Sequence, residues 1–135
     1  MSLDFRLVVT GAEGFETPVV GTQELEVDNV TKISATVTAE CADFSIPANV
    51  PEDTLAAMLL VADQDVDVIF RDGAAASVGE YSLCADVPFA WWSCCGHATP
   101  VSADACSIEV DNSANAEDAT IVGRIAYDNG PCPSP

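Results

Sequence analysis

Leu55-Ala56-Ala57-Met58-Leu59-Leu60-Val61-Ala62 is followed by Asp63-Gln64-Asp65 and then by Val66-Asp67-Val68-Ile69-Phe70-Arg71-Asp72-Gly73. The first run is apolar on both faces. It is short for a helix, although Asp53 or Thr54 would cap one, and its length suits a buried strand. The second run alternates with the strand period of two: Val66, Val68 and Phe70 share one face, and Asp67, Ile69 and Arg71 the other. Read together, the two runs predict a hairpin turning at Ala62-Asp63-Gln64-Asp65, with Asp72-Gly73 ending its second strand.

The same period recurs outward from this centre. Leu3, Phe5, Leu7 and Val9 alternate with Asp4, Arg6 and Thr10, and Ile33, Ala35, Val37 and Ala39 alternate with Lys32, Ser34, Thr36 and Thr38. Near the end, Ala119, Ile121, Gly123, Ile125 and Tyr127 face away from Thr120, Val122, Arg124 and Ala126. Val, Ile and Thr fill these windows, as a pleated, half-buried surface prefers. Pro18, Pro47, Pro51, Pro88 and Pro100 are expected near strand boundaries, where a missing N–H does least harm. Strand candidates about ten residues apart, separated by Gly, Pro and Asp, predict an all-β fold: an antiparallel two-sheet sandwich, jelly-roll-like. One domain is expected over residues 1–128, with 129–135 as a C-terminal tail.

Composition narrows the function classes. The chain has 135 residues, 49% of them hydrophobic, which is enough apolar material for one core and argues against a disordered chain. Its 22 acidic residues face four basic ones, Arg6, Lys32, Arg71 and Arg124, for a net charge of −18. That balance repels phosphate backbones and anionic lipid, so neither nucleic acid nor membrane is expected as a partner. No apolar run approaches the roughly 18 residues that span a bilayer. No basic stretch followed by an apolar one opens the chain, so no secretory signal is expected.

Six cysteines, Cys41, Cys84, Cys94, Cys95, Cys106 and Cys132, are many for this length. An even number permits three disulfides in 15 connectivities, whereas a chain made in a reducing cytosol keeps thiols free, and both states stay open. Cys94-Cys95-Gly96-His97 sets thiols beside the sole imidazole, a donor set suited to zinc or copper, with Cys84 and Cys106 flanking it as further ligands. The spacing lacks the two-residue separation of common zinc knuckles. Asp63, Asp65 and Asp67 begin like a calcium loop, but Val68 and Ala74 stand where that loop needs Gly and Glu, so they read as turn carboxylates facing water. Ser93 or Cys94 with His97 has no evident orienting acid, and no glycine-rich phosphate loop is present; no catalytic residue is assigned.

Phe89-Ala90-Trp91-Trp92 carries three large aromatics, with Phe89 and Trp91 directed one way and Trp92 the other. An indole outside the core would anchor an interface.

Several stretches in order carry a family resemblance. They are Asp65 to Gly73, Gly79-Glu80-Tyr81-Ser82-Leu83, Val87 to Trp92, Ile108-Glu109-Val110-Asp111-Asn112-Ser113, and Ala119 to Ile125. The pattern resembles small β-sandwich virion proteins of tailed bacteriophages, of the decoration, cement or head–tail accessory kind, over roughly residues 20–128. The resemblance implies a non-enzymatic structural subunit, without cofactor, that forms homo-oligomers and adheres to other virion proteins, the major capsid or tail proteins. It also implies a place in the virion after assembly in the host cytoplasm. Phe89, Trp91 and Trp92 are then the expected contact residues. The alternative is a cysteine-rich metal- or ligand-binding β-sandwich centred on Cys94, Cys95, His97 and Cys106.

Overall fold

In the computed structural model, strands follow one another without any helix among the described residues, which are 2–9, 19–93 and 97–128, the backbone alone for 2–9 and 19–26. In chain order they are β1 (Ser2–Val9), β2 (Val19–Glu26), β3 (Asn29–Val37), β4 (Phe44–Val50), β5 (Leu55–Ala62), β6 (Val66–Arg71), β7 (Ser77–Leu83), β8 (Phe89–Trp92), β9 (Ala105–Asp111) and β10 (Ala119–Tyr127). The windows at 55–62, 66–71 and 119–127 coincide with strands, and those at 3–10 and 31–39 are displaced by one or two residues.

Eight strands make two antiparallel four-stranded sheets, ordered β3-β10-β5-β8 and β4-β9-β6-β7, while β1 and β2 pair in a sheet of their own. The fold is the all-β sandwich that the periodicity predicts, with the strand order of a jelly roll. The expected hairpin at Ala62 to Asp65 does not form. β5 pairs with β10 and β8, and β6 with β7 and β9, so the segment between them crosses from one layer to the other. Placed in opposite layers, the two runs bury Met58 and Leu60 against the same core as Val68 and Phe70. Within the sandwich the consecutive hairpin is β6–β7. Its turn is held by the Asp72 carboxylate, whose Oδ1 accepts the N–H groups of Ala74 and Ala76, both at 2.9 Å. Asp72 therefore ends the strand as expected, although the left-handed residue of the turn is Ala75 (φ 65°).

The core lies between the layers. Ile33, Met58, Leu60, Ile121 and Ile125 come from one sheet, and Val68, Phe70, Ile108 and Val110 from the other, all almost wholly buried. Gly123 is needed where β10 passes β5, because a Cβ there would stand 2.2 Å from the Leu59 carbonyl oxygen and 2.7 Å from Leu60 Cδ2. Pro47 falls inside β4 rather than at its boundary. It is tolerated because β4 is an edge strand whose register to β9 breaks between Pro47 and Val50.

Candidate functional site

Of the predicted cysteine and histidine centre, Cys41, Cys84, His97 and Cys106 lie among the described residues. Cys106, in β9, is disulfide-bonded, so its sulfur is not a free thiolate ligand. Cys41 and Cys84 are free, the first half-buried and the second exposed. Leu83 pairs with Val66 at the start of β6, whereas Ser107 pairs with Arg71 at its end. Cys84 and Cys106 therefore lie past opposite ends of a six-residue strand, at least about 16 Å apart at ~3.3 Å per residue. That separation prevents them from sharing a metal or a disulfide. Cys94, Cys95 and Cys132 lie outside the described residues. His97 is exposed, and its backbone carbonyl accepts the Trp91 indole N–H at 3.2 Å. Among the described residues no three His, Cys, Asp or Glu side chains gather to hold a metal ion.

The aromatic segment alternates as expected, and the alternation removes Trp91 from the surface. Trp91 is 8% exposed and belongs to the central core. Phe89 packs on the rim of that core against Tyr81, ring centroids 4.9 Å apart, and Tyr81 meets Phe70 edge-on. The Tyr81 phenol donates to the Pro100 carbonyl, and burial pushes its pKa above the ordinary tyrosine value. Trp92 faces outward. It is half-buried in a small cluster with Val27, Val30, Ala56, Ala57 and Ala126. Odd positions of a strand share one face, so the first indole had to go inward once Phe89 did.

The carboxylates of the interlayer crossing are engaged with protein donors. Asp63 accepts the Thr120 N–H, Asp65 the Ala85 N–H and Asp67 the Ser82 hydroxyl, each at 2.7 Å. Asp63 thus ties the crossing to β10, Asp65 ties it to the segment after β7, and Asp67 ties β6 to β7. Next to them, Asp111 is held below the usual aspartate range by hydrogen bonds from the Ser113 side chain and N–H. Asn112 is fully buried among these acids. Its Nδ2 donates to the carbonyls of Val37, Thr38 and Glu117, and its Oδ1 accepts from Asn115 Nδ2.

The two outer sheet faces differ sharply in chemistry. On β4-β9-β6-β7 the outward residues include Glu109, Asp111, Asp67 and Glu80, with Asp67 directly opposite Asp111 and Ile69 opposite both Glu109 and Glu80. Arg71 is the cation on this face, and it is neutralised by Glu109 (Nη2 to Oε2, 2.7 Å; Nε to Oε2, 3.1 Å). None of the 22 acidic residues lies in any strand of β3-β10-β5-β8. Its outward face carries Lys32 directly opposite Arg124, both exposed, together with the exposed side chains of Leu59 (36%) and Val122 (42%) and the half-buried Val61. Arg124 Nη1 donates to its neighbour's carbonyl, Gly123 O, at 2.7 Å. Among the described residues the one ion pair is Arg71–Glu109. This face was missed in the sequence because its residues come from four separated strands. The available signal was the absence of acids from four windows of a chain otherwise crowded with them.

No known protein family and no curated protein matches the chain. Three chains of solved structures do. One belongs to work describing Bacillus endospore appendages as a novel family of disulfide-linked pili; it is 17% identical, covers 74% of this chain and 87% of that one, and has a TM-score of 0.48. That protein is an appendage component and not a phage protein.

Proposed function

We propose that the chain is a non-enzymatic structural subunit that works by assembling with other subunits, as a decoration, cement or head–tail accessory protein on a virion, put together in the host cytoplasm. The observation that carries the assembling role is the β1–β2 hairpin, which forms a two-stranded sheet of its own and joins the strand ladder of neither layer of the sandwich. A lone two-stranded hairpin is marginally stable in water, and an arm of this kind gains most by lying against a neighbouring subunit. The virion setting comes from the sequence resemblance. An acidic jelly roll suits the outside of a particle, since its net charge repels the nucleic acid packaged within.

Gradient-purified particles from the source, analysed by mass spectrometry with copy number from band intensity, test the setting. Peptides of this chain at hundreds of copies per particle are expected for a coat or cement subunit, and a handful for a neck or tail part. Their complete absence would overturn the virion reading.

A further inference from the structure

We propose that the outer face of the β3-β10-β5-β8 sheet is the docking surface for a second copy of this chain, which presents the acidic outer face of its β4-β9-β6-β7 sheet. The inference deepens the assembling role proposed above and rests on it. Lys32 and Arg124 stand directly opposite each other across β3 and β10, exposed and without an acidic partner among the described residues. Like charges placed opposite one another destabilise a strand pair, and none of the chain's 22 acids lies in the four strands of this sheet to offset them. The other layer carries the reciprocal arrangement, with Asp67 opposite Asp111 and Glu80 near them on the neighbouring strand. Each face therefore holds an uncompensated pair that the other would neutralise.

The apolar groups fit the same pairing. Leu59, Val61 and Val122 adjoin the two cations, because Arg124 pairs with Leu59 and Val122 with Val61. Ile69 lies among the acids of the opposite face. Apolar side chains beside charges of one sign, meeting apolar side chains beside charges of the other, supply the apolar and the polar parts of a specific contact. The net charge of −18 does not prevent it. At physiological salt the Debye length is about 8 Å, so distant acids are screened while charges in contact are not. The two faces differ, so the contact is heterologous and repeats from copy to copy, closing into a ring or continuing as a stack.

Sedimentation velocity of the full chain over a concentration series at physiological salt tests this. Wild type is expected to show larger species as concentration rises. Two charge reversals, K32E/R124E on one face and D67K/E80K on the other, should each weaken association at least tenfold. Asp111 is left in place because it holds its own turn. An equimolar mixture of the two variants should recover association, since each then meets a complementary face. V122E, a single exposed change with no charge removed, should weaken it as well and guards against a charge variant that fails to fold, which circular dichroism would reveal. Wild-type association by folded K32E/R124E or folded D67K/E80K would overturn the proposed faces while leaving the assembling role intact. A wild-type chain that stays monomeric throughout would overturn self-assembly itself and the docking surface with it.

Discussion

Asn112 shows at the scale of one residue how this molecule is held shut. It sits in Asp111-Asn112-Ser113-Ala114-Asn115, a stretch that reads as an exposed polar turn, yet its side chain is fully buried. The amide joins the end of β3 to the β9–β10 loop through bonds to Val37, Thr38 and Glu117, and the Asn112 N–H donates to the Cys41 carbonyl at 2.7 Å. A buried polar group is tolerated because every bond it needs is made. Asn112→Asp puts an oxygen where Nδ2 faces those carbonyls and should lower stability by about 3 kcal/mol or more, judged from the cost of unsatisfied buried polar groups. Urea denaturation of the variant measures it, and a loss below about 0.5 kcal/mol, the level of ordinary surface changes, would contradict this role. Nothing in the local sequence marks Asn112 as buried, because its partners lie up to 75 positions away.

Among the elements, β10 is a central strand, between β3 and β5. Its alternation was legible residue by residue, and its bounds follow directly from that alternation. Its partners were not, since period two assigns a side chain to a face but does not say which strand lies alongside. The failed β5–β6 hairpin has the same cause: a polar turn between two apolar runs serves equally for a hairpin or for a passage between layers. Gly123 marks the β10–β5 contact. Gly123→Ala should destabilise the domain by about 1–3 kcal/mol, the usual cost of overpacking, because its Cβ meets backbone that cannot move without separating the two strands. A midpoint of thermal or urea unfolding equal to wild type would show that the sheet yields more readily than this close approach implies. The aromatic run divides in the same way: the sequence distinguished Trp92 from Phe89 and Trp91, while the layer packing determined which side was the interior.

At the scale of the whole molecule, charge is distributed by layer. The self-repulsion of 22 acids against four cations opposes folding, and salt screens it. Raising ionic strength from about 0.01 M to about 0.15 M shortens the Debye length from about 30 Å to about 8 Å, so the melting temperature should rise by a few degrees. A scanning-fluorimetry series checks this, and a falling melting temperature would mean that attractive pairs outweigh the repulsion. Composition and periodicity were sufficient for the all-β class, the positions of most of the strands read from it, and the sorting of their side chains into two faces, because strand periodicity is a local property of the chain. Tertiary structure alone decided that Cys84 and Cys106 stand at opposite ends of a sheet, that Trp91 is interior, and that Lys32 and Arg124 share an acid-free face with Leu59 and Val122. Those relations join residues far apart in the chain, and they arise only when strand order and register bring the residues side by side.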